Sequence, residues 1–126
     1  MTSPELPADV RRFILTSIPS VPYLEALLLL RAEPSHAWAA GDLARRLYVP
    51  ERTGAELMQL LLDSGIASPA GQVGAVRYAP PAELAGLLDG VAHAYATELL
   101  TVTELIHSRI DRRAQRFADA FRFRKE

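Results

Sequence analysis

The sequence contains no cysteine among its 126 residues, which excludes a disulfide framework and any metal site built on thiolates. Its first residues lack the basic start and the apolar run of a signal peptide. Its longest unbroken apolar run, residues 26–30, is far shorter than the ~20 residues that cross a bilayer. These absences predict a soluble, cytoplasmic protein without a membrane span.

The residue patterns of common active sites are also missing. There is no serine in a nucleophile-elbow context, no glycine-rich phosphate loop and no cluster of histidines and carboxylates at metal-ligand spacing. Of the three histidines, His93 and His107 share a predicted helix but lie about 21 Å apart along its axis. We therefore expect neither an enzyme nor a bound metal or cofactor.

The charge is unevenly distributed, although the net value is only −1. Residues 1–108 carry seven arginines against twelve carboxylates, whereas residues 109–126 carry six arginines and one lysine against three carboxylates. The body is thus acidic and the tail basic. Free-standing nucleic-acid binders show a strongly basic surface, so the charge of the body counts against DNA binding.

The basic tail also contains the phenylalanines Phe117, Phe121 and Phe123. Its arginines suit a phosphate backbone, and its aromatic residues suit a groove on a protein partner. In the alternative interpretation the phenylalanines pack on the chain itself, while the arginines pair with the acidic body. We favour this alternative, because phenylalanines four residues apart are typical of a packed helix face.

Apolar periodicity predicts a mainly α-helical chain with a small β element. The expected helices are Asp9–Ile18, Pro22–Ala32, Ala40–Tyr48, Pro50–Ser64 and Ala82 to about Ser108. The expected strands are Ile66–Ala70 and Val73–Ala79, which flank a turn containing Gly71. The expected core residues are Leu27, Leu28, Leu43, Leu47, Met58, Leu61 and Ile66, with Ala55 and Leu62 on the same helix face as Met58.

The segment from Tyr23 to Tyr78 resembles a winged helix-turn-helix domain of the kind found in bacterial transcriptional regulators. The run GDLARRLYVPERTGAELMQLLLDSGI carries the most specific match. In it, Leu43-Ala44-x-x-Leu47 would pack the first helix of the motif, Val49 would fill the turn, and Leu61-x-x-x-Gly65-Ile66 would lead into the wing. The resemblance covers a little under half of the chain.

This resemblance implies a winged helix-turn-helix domain over residues 1–81 and a helical dimerisation arm with a basic tail over residues 82–126. It also implies that double-stranded DNA is a partner, contacted by the second helix of the motif and by the wing. The candidate DNA-binding residues are Arg45, Arg46, Arg52, Thr53, Gln59 and Arg77. Their neighbours Glu51, Glu56 and Asp63 would repel a polyanion.

The last predicted helix carries an apolar band that is longer than one small body easily covers. It consists of Leu84, Leu88, Val91, Tyr95, Val102 and Ile106, and it predicts a homodimer centred on this helix. The main hypothesis is therefore a DNA-binding transcriptional regulator that acts as a homodimer. The alternative is a protein–protein interaction module without direct DNA binding, because winged helices serve both purposes.

Overall fold

The computed structural model describes residues 6–108, which form six helices and one small sheet. The helices are α1 (Ala8–Ser17), α2 (Val21–Ala32), α3 (Ala40–Leu47), α4 (Glu51–Asp63), α5 (Ala82–Thr97) and α6 (99–108). The strands are β1 (Ala67–Pro69) and β2 (Val76–Tyr78). The expected mainly helical chain with a small β element is confirmed. None of the described helices is by itself long and apolar enough to cross a membrane.

Residue contacts divide the chain into two compact units. One unit is Pro22–Asp89, which contains α3, α4 and both strands. The other consists of the described parts of Met1–Val21 and Gly90–Glu126. The expected division into residues 1–81 and 82–126 stays a prediction. The basic tail, with Phe117, Phe121 and Phe123, lies outside the described residues.

The core of the unit Pro22–Asp89 is built on α2, which is apolar on nearly every side. Its most enclosed side chains are Leu24, Leu27 and Leu30, none of which is exposed to solvent. The other expected core residues found buried are Leu43, Met58, Leu61 and Ile66. Leu28 and Leu47 are only half-buried, so these two assignments are corrected.

The two strands form an antiparallel ribbon in which Ser68 pairs with Arg77. Trp38 extends this sheet by one bridge, because its N–H donates to the Val76 carbonyl (2.7 Å) and its carbonyl accepts from the Val76 N–H (2.9 Å). The backbone pairing of Trp38 with β2 is confined to this one bridge. The bridge fixes the ribbon to the segment that leads into α3.

In the other unit, α1 and α5 approach closely at Gly90. A Cβ atom at this position would lie 2.8 Å from Cγ2 of Val10, so a side chain there would require the Val10 side chain or one of the helices to shift. The expected continuous helix from Ala82 to about Ser108 is wrong, because α5 ends at Thr97 and α6 begins after Glu98. The hydroxyl of Thr97 donates to the carbonyl of His93 (2.8 Å), a bond that bends helices.

The apolar band that predicted the homodimer is largely covered within a single chain. Leu88, Val91, Val102 and Ile106 have no exposed surface, and Leu84 and Tyr95 are half-buried. The four buried side chains are therefore not available to a second copy in this conformation. The homodimer itself stays a prediction.

Adjacent leucines on α4 allow a matched test of the core. Leu61 is fully buried, whereas Leu60 is 43% exposed. Leu61→Ala should lower the free energy of unfolding by about 2–5 kcal/mol, because it removes buried methyl groups and leaves a cavity. Leu60→Ala should cost less than ~1 kcal/mol. Urea unfolding measures both, and equal losses would contradict this arrangement of α4.

Candidate nucleic-acid interface

The turn between α3 and α4 is closed by Tyr48, which adopts a left-handed backbone conformation (φ 59°, ψ 43°). The N–H groups of Tyr48 and Val49 turn back to the carbonyls at the end of α3, and Val49 donates to Ala44 at 3.0 Å. These bonds satisfy carbonyls that the helix end leaves free. Pro50 then sets the extended backbone from which α4 begins.

The approach of α4 to α3 depends on Gly54. A Cβ atom at this position would lie 2.7 Å from the Ala40 carbonyl oxygen and 3.0 Å from Cβ of Ala44. Because glycine has no side chain, the backbone of α4 can lie directly against Ala40 and Ala44 of α3. The buried residues of α4 are Gly54, Leu57, Met58 and Leu61. Ala55 lies beside Met58 and Leu62 as expected, but it is exposed and does not belong to the core.

Two of the candidate DNA-binding residues lie near the end of α3. Arg45 is well exposed and pairs with Asp42 one turn earlier. The guanidinium carbon of Arg46 lies 5.4 Å from the centre of the Trp38 ring. Its Nη1 atom lies 3.8 Å from Oε2 of Glu33. Arg46 therefore has a structural role over a buried tryptophan, whereas Arg45 is held only by an exposed pair.

Three further candidates lie on α4. Arg52 is almost fully exposed, with 92% of its side chain accessible, and lies 3.5 Å from Glu56. Gln59 is exposed and donates to Asp63 at 2.9 Å. Thr53 is only half-buried. The exposed edge of α4 thus presents polar groups that neighbouring carboxylates already engage.

The last candidate, Arg77, lies on β2 between a buried Val76 and a half-buried Tyr78. Strand alternation turns it to the opposite side of the ribbon from Val76, next to Ser68. It makes no ion pair with any residue in the described part of the chain. Arg77 is therefore the candidate cation whose charge is least compensated.

The tip of the ribbon is uncharged. Residues 70–75 contain no charged side chain, and Val73 is fully exposed. Gly71 and Gly74 have φ values of 68° and 86°, which glycine adopts without steric cost. Any electrostatic contact from the ribbon must therefore come from Arg77.

An apolar groove of about 300 Å³ runs between α4 and the ribbon. It is lined by Ala40, Ala55, Met58, Gln59, Leu62, Pro69, Gly74, Ala75 and Val76. Gln59 is the one lining residue with a polar side-chain group. The groove borders the same edge of α4 that carries Gln59, so apolar and polar surfaces meet there.

Two tyrosines of this unit have a pKa above its usual value. Burial raises the pKa of Tyr23, although its hydrogen bond with Ser64 (3.1 Å) lowers it in part. Burial likewise raises the pKa of Tyr78. The nearby charges have smaller effects, since Arg31 lowers this pKa and Asp89 raises it. Both phenols therefore remain protonated at neutral pH. No three His, Asp or Glu side chains within residues 6–108 are grouped so that they could hold a metal ion.

Sequence reasoning missed Tyr48 and Gly54. A helix that ends in a left-handed residue normally uses glycine there, and the sequence from Asp42 to Thr53 offers none. The absence of glycine in this turn was a usable signal for Tyr48. The spacing could have placed Gly54 on the buried face of α4, because Leu57, Met58 and Leu61 follow it at three, four and seven residues.

Comparison of the chain with protein-family models, with curated proteins and with solved structures gave no match.

The same substitution at two helical glycines tests the contact between α3 and α4. Gly54→Ala should lower the free energy of unfolding by about 1–3 kcal/mol, because the new methyl group meets backbone. Gly86→Ala should raise it by about 0.5–1 kcal/mol, since nothing lies within 4 Å of its Cβ position. The single tryptophan, Trp38, reports urea unfolding by fluorescence. A stabilising Gly54→Ala would show that the helices do not meet there.

Proposed function

We propose that this protein is a DNA-binding transcriptional regulator of the winged helix-turn-helix type rather than an enzyme, and that it acts as a homodimer in the cytoplasm. The observation that carries the proposal is the arrangement of α3, a tight turn, α4 and a two-stranded ribbon that is anchored by the bridge at Trp38. In winged helix-turn-helix proteins the helix equivalent to α4 enters the major groove, and the wing contacts the flanking backbone.

The exposed arginines supply contacts of the kind that this mode of binding needs. Arg52 lies in the first turn of α4, where side chains reach base edges, and an arginine there can bind guanine through two hydrogen bonds. Arg45 and Arg77 are exposed on α3 and β2, where they would contact phosphates. Thr53 and Gln59 complete the proposed contact surface.

The carboxylates beside these arginines reduce the affinity without excluding it. The unit Pro22–Asp89 has five arginines and eight carboxylates, so long-range attraction to DNA is absent. Exposed ion pairs such as Arg52–Glu56 contribute only about 0–1 kcal/mol. Releasing Arg52 from Glu56 therefore costs little, and an arginine–guanine contact through two hydrogen bonds then discriminates against the wrong base by about 1–3 kcal/mol.

A second candidate function is favoured by the apolar groove. A groove of about 300 Å³ that Met58, Leu62 and Val76 help to line suits an apolar side chain of a protein partner better than it suits a phosphate. The carboxylates on the adjoining edge of α4 agree with this alternative. The protein would then be an interaction module, with α4 facing a protein instead of DNA.

The salt dependence of binding to a duplex separates these candidates. We expect the wild type to bind a labelled duplex at low salt, with affinity that falls as salt rises because phosphate contacts release counterions. Arg77→Ala should reduce the slope of log K against log salt by about 0.9 for its one phosphate. Arg45→Ala should have the same effect on the slope. Arg46 is not substituted in this test, because it covers the ring of Trp38 and its loss would also disturb the fold.

Removing the carboxylate that engages Arg52 provides the opposite change. Glu56→Gln should strengthen duplex binding, since it frees Arg52 and removes a repulsive charge. Glu25→Gln makes the same charge change at an exposed position on α2 and should have a smaller effect. If neither the wild type nor Glu56→Gln binds any duplex at low salt, the DNA-binding proposal is wrong and the interaction module replaces it.

A further inference from the structure

The helices α3 and α4 end in the same way but with different residues. After α3, Tyr48 has φ 59°, and Val49 donates to the Ala44 carbonyl. After α4, Gly65 has φ 79°, and Ile66 donates to the Leu61 carbonyl (3.1 Å). The chain therefore uses glycine at one left-handed helix terminus and a bulky aromatic residue at the other.

The tyrosine at this terminus does not contribute to the fold through its side chain. Left-handed backbone is unfavourable for a residue with a Cβ atom, and bulky residues rarely adopt it. The side chain of Tyr48 is 96% exposed, so packing does not offset the strain. Strained residues that the surrounding structure holds in place are common at functional sites.

The position of Tyr48 relates it to the proposed DNA surface. It lies two residues before Pro50, from which α4 starts, and between the exposed Arg45 and Arg52 in the sequence. Residues that flank the start of a recognition helix contact the DNA backbone, and tyrosine hydroxyls are among the groups that donate to phosphate oxygens.

We propose that Tyr48 is a DNA-contacting residue whose hydroxyl donates a hydrogen bond to a backbone phosphate of the duplex. This inference rests on the proposed DNA-binding function. It assigns to the turn a sequence-independent contact that adds to the affinity and fixes the position of α4. The strained backbone is retained because the contact needs a long side chain where glycine would otherwise be preferred.

The test compares Tyr48→Phe and Tyr48→Gly with the wild type in binding to a labelled duplex of mixed sequence across a salt series. Tyr48→Phe should weaken binding by about tenfold to a hundredfold, the usual value of one hydrogen bond to a charged acceptor. The salt slope should stay unchanged, because tyrosine carries no charge and releases no counterion. An arginine variant such as Arg77→Ala should change the slope, which distinguishes the two kinds of contact.

Tyr48→Gly serves as the structural control. It should weaken binding at least as much as Tyr48→Phe, yet unfold at the same or a higher temperature, because glycine relieves the left-handed strain. A large drop in the unfolding temperature of Tyr48→Gly would show that the side chain supports the fold, which contradicts the inference.

Duplex binding by the wild type and by Tyr48→Phe distinguishes a failure of this inference from a failure of the proposed function. If the wild type binds the duplex and Tyr48→Phe binds equally well, the hydroxyl makes no phosphate contact and the inference is wrong, while the proposed function stands. If the wild type binds no duplex at low salt, the proposed function is wrong and the inference falls with it.

Discussion

The close approach of α4 to α3 at Gly54 is the constraint on which the candidate interface depends. With the Ala40 carbonyl only 2.7 Å from the position of a Cβ atom, a side chain there would push α4 outward. That approach brings Leu57, Met58 and Leu61 into the core. It also determines which edge of α4 remains exposed, so the position of Arg52 follows from a residue that has no side chain.

The ribbon is positioned by a second, independent device. The paired backbone bonds between Trp38 and Val76 attach β2 to the segment before α3. Arg46 covers the ring of Trp38 from the other end of α3, so one candidate arginine is committed to the fold. The contact of α4 with α3 at Gly54 and the Trp38–Val76 bridge together position the two sides of the groove between α4 and the ribbon. The groove is apolar because Met58, Leu62 and Val76 line it.

The sequence predicted the elements well and their relations less well. Proline and glycine positions located the ends of α1 to α4 to within about two residues, because these residues restrict the backbone locally. The burial of Leu43, Leu61 and Ile66 followed from periodicity. The break at Glu98 and the burial of the apolar band on α5 and α6 did not follow, since both depend on tertiary contacts. Ion pairs such as Arg52–Glu56 were likewise beyond the sequence, although the spacing of four residues permitted them.

The central claim is that α4, the turn before it and the outer side of the ribbon form one surface that binds DNA. Backbone amide NMR of the full chain, titrated with a duplex at low salt, tests this claim most directly. We expect shifts concentrated at residues 45–59 and around Arg77, which diminish as salt is added. An unchanged spectrum, or shifts confined to residues outside these segments, would contradict it.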